Sequence, residues 1–314
     1  MKSAKRHPHF AVKEMNLLSR RVFLPLWFRV IAGCSLLIHF NSSAAETSNP
    51  FEVDVMSFNI RFGTARDGEN HWRTRKELVV KIIEENQPDV VGLQEAHRFQ
   101  VEEMLSTLPG YKETAQAPED PQQYTLNAIL YRAEKFSVEE FGWFWFSDTP
   151  EVISTSWGNY LPRTCNWARL LETESGRPFY FYNAHLDHLS QNSRYKSAGL
   201  ILGRMAQREH PDPLVLTGDF NAGEENKAIE YLLADHADAG SASLRLVDSF
   251  RVLHPDEDEV GTYHAYSGKT DRDKIDYIFI QPEAEVLSSE IIHTRYDGKY
   301  PSDHFPLKSR IRFE

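Results

Sequence analysis

LTGDFNA, residues Leu216 to Ala222, closes an apolar run that starts at Leu214 and ends by presenting an acid and an amide. Residues two apart in an extended chain face the same way, so Asp219 and Asn221 project together from the end of a buried strand. Two oxygen-bearing side chains on one side suit a hard cation or a polarised water. A single such pair also has an ordinary explanation, because Asp and Asn at strand ends form turns by bonding to their own backbone. What decides between the two is whether other strand ends supply partners.

Several do. FEVDVMSFNIRF (51–62) alternates as a strand, with Val53, Val55 and Ser57 on one side and Asp54, Met56 and Phe58 on the other, and ends at Asn59. RKELVVKIIEENQPD (75–89) puts Leu78, Val79, Ile82 and Ile83 on one helical face before Pro88 stops it, and DVVGLQEA (89–96) is a short buried strand ending at Glu95. PFYFYNAHLDH (178–188) is a strand ending at His185, with Asp187 beyond, and SRYKSAGLILGRMAQ (193–207) is a helix leading back to LTGDFNA. KIDYIFI (274–280) is a strand around Asp276, and SDHFPLKSRIRF (302–313) is a terminal strand preceded by Asp303 and His304. An acid flanked by Ile275, Tyr277, Ile278 and Phe279 is partly buried and needs a partner; histidine is the expected one, and His304 offers it. Strands alternate with helices early and with turns late, which predicts a layered α/β domain with mixed sheets.

The bulk composition fits one such domain. The chain has 314 residues, 41 % hydrophobic and 26 % charged, and from Phe51 onward shows no repeat, linker or low-complexity segment, so a single domain over 51–314 is expected. Residues 1–45 differ. Arg20 and Arg21 precede an apolar stretch that ends in Ser43-Ala44-Ala45, the layout of a secretory signal, with Met15 as an alternative start and Glu46 as the expected mature N-terminus. Arg29 splits the apolar run and leaves it short of the roughly 20 residues of a spanning helix, so no stable membrane span is expected in the mature chain. A retained anchor is one alternative, and Ile31-Ala32-Gly33-Cys34 opens another, lipidation at Cys34. A secreted or periplasmic monomer is the expectation. From Glu46 onward, 28 Lys and Arg stand against 45 Asp and Glu, a net charge of −17, without the basic footprint of a non-specific nucleic-acid binder. Cys165 would then be the lone cysteine, which excludes an intrachain disulfide in the mature form. No HExxH or CxxC pattern suggests zinc.

SFNIRFG, PDVVGLQEA, NAHLDH, LTGDFNA, DKIDYIFI and YPSDHFPL, in that order, resemble the endonuclease/exonuclease/phosphatase superfamily over about Phe51 to Phe313. The resemblance implies a four-layer α/β sandwich, two mixed β-sheets packed face to face with outer helices, and a Mg²⁺- or Mn²⁺-dependent phosphoesterase site on one rim. It implies that Glu95 is the main metal ligand with Asn59 beside it and Asp303 supporting the metal region. Asp219 would orient and deprotonate the attacking water, and Asn221 would hold that water or the phosphate. His185 would bond to a phosphate oxygen, and His304, its ring fixed by Asp276, would bind the phosphate. The substrate would be a nucleic acid, nucleotide, phospholipid headgroup, inositol phosphate or sugar phosphate. A non-catalytic binder of a phosphorylated ligand on the same fold is the alternative.

Three stretches bear on substrate choice. FGWFWFSDTPE (141–151) fits either strand packing or base stacking. In SWGNYLPRTCNWARL (156–170), Arg163 is a candidate phosphate ligand, Trp157 or Trp167 could stack, and Arg169 equally fits a surface ion pair. GTYHAYSGKTDRDKIDY (261–277) brings Tyr263, a candidate substrate contact, with His264, Lys269, Arg272 and Lys274 towards Asp276, either as a solvated loop or as a substrate rim.

Overall fold

Alternation along the first strand separates two cores. In the computed structural model, which describes residues 50–114, 126–235 and 244–314, Val53 and Val55 point into one apolar cluster and Met56 and Phe58 into another. The signal segment read over residues 1–45, with Cys34, lies outside the described residues. Along the chain run β1 (Phe51–Asn59), α1 (Trp72–Asn86), β2 (Val90–Ala96), α2 (Arg98–Leu105), β3 (Tyr111–Glu113) and β4 (Leu126–Arg132). There follow β5 (Phe136–Trp145), β6 (Thr164–Glu172), β7 (Pro178–His185), α3 (Gln191–Ala206), β8 (Leu214–Asp219) and α4 (Lys227–Leu233). The chain ends with β9 (Val247–Asp248), α5 (Ser249–Leu253), β10 (Asp276–Ile280), β11 (Glu285–Ile291) and β12 (Leu307–Phe313). Among the described residues no helix is long and apolar enough to cross a membrane.

The strands form two six-stranded mixed sheets, ordered β11-β12-β1-β2-β4-β3 and β5-β6-β7-β8-β10-β9. Each has one central parallel pair, β1 with β2 and β7 with β8, and antiparallel pairs elsewhere. A parallel pair needs a crossover, and α1 and α3 supply the two. Val79, Ile82 and Ile83 of α1, with Val101 and Met104 of α2, cover Met56, Phe58, Val91 and Leu93 on the outer face of the first sheet. Ala198, Ile201 and Met205 of α3, with Ile229 and Leu232 of α4, cover Tyr180, Tyr182, Leu214 and Leu216 on the outer face of the second. Between the sheets, Val53, Val55, Val90 and Ile311 share a core with Phe181, Val215 and Ile278. The result is the four-layer α/β sandwich, with two mixed sheets face to face and helices outside.

This geometry brings the polar strand ends together. Within each parallel pair the carboxyl ends share an edge, so Asn59 lies with Glu95, and His185 lies opposite Asp219 in register. The sheets face each other through β1 against β8 and β10, and through β2 against β7 and β8. All four ends therefore meet at one seam.

A polar stitch fixes that seam from inside. The buried Asn183 side chain on β7 crosses to the other sheet, where Nδ2 donates to the carbonyls of Leu93 (2.8 Å) and Ala128 (3.0 Å) and Oδ1 accepts from Gln94 Nε2 (2.7 Å). Gly92 permits this approach, since a Cβ there would lie 2.3 Å from Thr217 Oγ1 and 2.8 Å from Asn183 Oδ1. Leu93 is also where the β2–β4 register shifts, before pairing resumes at Ala96. Asn183→Leu keeps the volume but takes the Asn183 donor from the buried Leu93 and Ala128 carbonyls and leaves Gln94 Nε2 only Ser57 Oγ and the Gly92 carbonyl, so we expect a loss of about 3 kcal/mol in urea-induced unfolding.

Candidate active site

Unbroken alternation in β2 would put Glu95 on the same face as Val91 and Leu93, beneath α1 and α2. The register irregularity prevents this: Glu95 adopts φ +57° and its Oε2 accepts the Phe62 amide N–H at 3.1 Å, at the rim. Bulges of this kind re-aim a side chain at the cost of local strain. At the end of β8, Asp219 is followed by Asn221 at φ +48°, whose backbone N–H donates to Asp219 Oδ1 at 2.9 Å. Gly218 is needed for the neighbouring strand, not for a turn, because a Cβ there would lie 2.2 Å from the carbonyl oxygen of Ala184 on β7.

Asn59 connects the sheets. Its Nδ2 donates to Asp219 Oδ2 at 2.9 Å and more weakly to Glu95 Oε1 at 3.4 Å, while its Oδ1 accepts from the Arg61 backbone N–H at 3.0 Å. That last bond fixes the amide orientation, so Asn59 turns its donor and not its oxygen to the two carboxylates. Asn59, expected beside the metal, thus orients both Glu95 and Asp219.

The two histidines hold opposite charge states. His304 Nδ1 donates to Asp276 Oδ2 at 2.8 Å, and its Nε2 lies 3.8 Å from Asp219 Oδ2. Burial opposes a charge on this ring, but Asp276, Asp219 and Asp303 outweigh it and push its pKa up to about 10. His185 is driven the other way, first by burial and then by the positive charge of Arg163 and His304, so it stays neutral. Asn221 Nδ2 lies 3.1 Å from its Nε2. Burial and the nearby Asp276 push Asp219 up to about 7, against His304, the Asn221 N–H and Asn59.

Arginine supplies the remaining positive charge. Arg163 is buried; its Nη1 sits 3.0 and 3.1 Å from the two ring nitrogens of His185, and its Nη2 3.1 Å from His188 Nδ1. None of these bonds reaches a carboxylate, and its Nε is buried without a partner. Arg61, at φ +55°, pairs with Asp67 at 2.9 Å and stands 3.6 Å from Asp303 and 3.9 Å from Glu95. Arg75 is buried and donates only to backbone oxygens, those of Ile60, Arg61, Asn70 and Pro301, so it ties the end of β1 to the segment bearing Asp303. Ser302 Oγ, donating to the Asn59 carbonyl at 2.7 Å, makes a second tie.

A cleft of about 580 Å³ opens at this rim, lined by Glu95, Asp219, Asn221, Asp303, His304, Arg163 and Tyr263 among others. Asn59, His185 and Asp276 stand behind this wall, where His185 contacts the lining residues Arg163, Asn221 and, at 3.4 Å, Asp219. Tyr263 bridges to His304, with ring centroids 5.1 Å apart. Sequence reasoning passed over Arg61, Arg75 and His188; Arg61 lies inside SFNIRFG and His188 ends NAHLDH, whereas Arg75 carries no local signal. Trp157 and Trp167 are not among the lining residues, and Phe144 and Phe146 pack into the core under α3. Arg169 pairs with Asp212 at 2.7 Å. Lys274 and His264, from the stretch read as solvated loop or rim, are both buried, Lys274 against Asp248.

Hard oxygen donors suited to a divalent ion are present. Glu95 and Asp303 face the cleft as carboxylates, and burial and Glu95 together raise the Asp303 pKa against His304, Arg61 and Arg75, as expected of acids gathered for a cation. A second grouping, Asp219, Asp276 and His304, brings its ligand atoms within 4.8 Å of one another, but its His304 Nδ1 is already committed to Asp276.

A protonated histidine, a guanidinium and clustered carboxylates around one cleft suit a hydrolase acting on phosphate esters. The chain belongs to the endonuclease/exonuclease/phosphatase family, whose pattern it matches over residues 56–304. A Bacteroides thetaiotaomicron protein of that family has a solved structure with TM-score 0.75 and 28 % identity, covering 85 % of this chain and 97 % of that one. The structure of a B. thetaiotaomicron mannosyl-6-phosphatase aligns with TM-score 0.74 and 28 % identity, covering 83 % and 100 %. Nocturnin from Drosophila melanogaster is 28 % identical over 94 % of this chain, which spans about half, 53 %, of that relative's length.

The His304–Asp276 pair carries a prediction that does not depend on activity. The folded pKa of about 10 lies above the free-histidine value of 6.5, so the pair's stabilisation is complete below pH 6.5 and is lost as pH rises through about 10. Thermal unfolding of the parent should therefore show a falling Tm between pH 7 and 10, a dependence that Asp276→Asn should largely remove.

Proposed function

We propose that this chain is an exported, monomeric phosphoesterase that depends on Mg²⁺, with Mn²⁺ as a substitute. The observation that carries the reading is the convergence of the Asp219 carboxylate, the His304 imidazolium and the Arg163 guanidinium on one cleft. Glu95 and Asp303 would hold the ion. When bound, such an ion neutralises charge on non-bridging oxygens and assists the leaving oxygen.

The chain's own groups account for the rest. Asp219, held by Asn59 and the Asn221 N–H and raised in pKa by burial and by Asp276, is placed to take a proton from water. His304, kept charged by Asp276, donates from Nε2 to a phosphate oxygen, and Arg163 donates to a second. His185 acts through others: its neutral ring braces Arg163 and Asn221 and does not itself touch phosphate. Tyr263 walls the His304 side of the cleft. The mannosyl-6-phosphatase likeness supports a sugar phosphate among the substrate classes. Export is supported by Arg20-Arg21, the apolar stretch and Ser43-Ala44-Ala45.

With Mg²⁺ the purified chain should hydrolyse phosphate esters, lose this in EDTA, and regain it on adding Mg²⁺ or Mn²⁺. Asp219→Ala should cost at least about a thousandfold in kcat/KM, since base and water position go together. Full turnover in EDTA would sink the mechanism; ligand binding without turnover would mark a phospho-ligand binder. Intact-mass measurement of the exported protein should place its N-terminus at Glu46, and a lipid-modified Cys34 would overturn that boundary.

A further inference from the structure

Tyr160, at 72 % exposure, lines the cleft, and Leu189, at 65 %, follows the lining residue His188 in the chain. Isolated exposed hydrophobics are common on protein surfaces and require no function. These two share an anchor. Asp187, fully buried, accepts the backbone N–H of Leu189 at 2.9 Å and of Ser190 at 2.7 Å on Oδ1, and that of Tyr160 at 3.3 Å on Oδ2. Burying a carboxylate is costly unless it is well bonded, so this acid fixes two loops relative to each other. What those loops hold out to solvent is a phenol ring and an isobutyl group.

The anchored loops flank the Arg163 guanidinium, which contacts no carboxylate. Arg163 reaches from His185, beside Asp219, to His188, which lies between Asp187 and Leu189 in the chain. Tyr160, His188 and Arg163 all line the cleft. A phosphate seated on Arg163 and His304 would therefore carry its organic group past His188 towards Tyr160.

We propose that Tyr160 and Leu189 form a lip that packs against the apolar face of a ring on the substrate's organic group, so that the substrate is a small ring-bearing phosphate ester, a sugar phosphate or nucleotide. This rests on the phosphoesterase reading and adds to it the site that selects the leaving group. Tyrosine suits the task because it presents a large flat area with little rotamer freedom to lose. The net charge of −17 from Glu46 onward favours such a small ester over a long polyanion.

The test compares mannose 6-phosphate and adenosine 5′-monophosphate with glycerol 3-phosphate, which lacks a ring, using the full chain with Mg²⁺. Preference for a ring-bearing ester, as the ratio of its kcat/KM to that of glycerol 3-phosphate, should fall at least tenfold in Tyr160→Ala and further in Tyr160→Ala/Leu189→Ala, and persist in Tyr160→Phe. Which of the two ring esters loses more identifies the ring. Ratios within twofold of the parent in the double variant would overturn the lip. Calorimetric binding without turnover separates the two claims: a ring-bearing ester should bind at least tenfold more tightly than inorganic phosphate, and Tyr160→Ala should erase that margin. Equal affinities overturn the lip even in an active enzyme, whereas absence of turnover for every ester overturns only the reading beneath it.

Discussion

One hydrogen bond, from Asn59 Nδ2 to Asp219 Oδ2 at 2.9 Å, joins the rim end of β1 in one sheet to the rim end of β8 in the other. Both residues are buried, and a buried carboxylate keeps its charge only while donors and cations surround it. Asp219 draws these from three places: Asn59 on β1, the Asn221 N–H beyond β8, and His304, which is itself held charged by Asp276 on β10. The ionisation of a single side chain therefore depends on how the two sheets are packed. Asn183 matters for the same reason, because it binds carbonyls of the opposite sheet where β2 loses register and Glu95 turns to the rim.

Three guanidinium groups serve the rim in different ways. Arg61 lies among Asp67, Asp303 and Glu95 and tempers the repulsion between acids that face the same cleft. Arg75 meets backbone carbonyls and acts as a clamp between the end of β1 and the chain before Asp303. Its planar fork can serve several carbonyls at once, which an ammonium on a flexible stem would do less well. Arg163 alone of the three contacts only neutral or weakly basic rings, and so retains its attraction for an incoming anion.

Much of this could be read from the sequence, for a physical reason. Two-residue alternation and helical spacing are local properties, so β1, α1, β2, β7, α3, β8, β10 and β12 were legible, and so were the acids, amides and histidines at their ends. Strand order was not. That β10 pairs with β8, placing Asp276 in register with Asp219, depends on packing between segments 57 residues apart. Glu95 shows a different limit: strict alternation aims it beneath the helices, and no adjacent glycine or proline announces the left-handed backbone that turns it outward. Arg75 and Lys274 look like surface charges in RKELVV and DRDKID. They are buried because distant carbonyls, or Asp248, happen to receive them.

The two sheets share one pairing pattern, an antiparallel frame around a central parallel pair, so four carboxyl ends of parallel strands converge on one rim. Ligand sites in α/β sheets favour this edge because strand ends are rigid while the loops beyond them are free to vary. Here the division is visible residue by residue. Asp219, Glu95 and Asn59 are set by the sheets and could not move without unpacking them. Tyr160 and Leu189 are set only by loops that converge on Asp187, so their sequence can change while the phosphate seat stays intact. On the proposed reading, reactivity and selectivity would be held by separate parts of the fold, connected by Arg163, which reaches from His185 to His188.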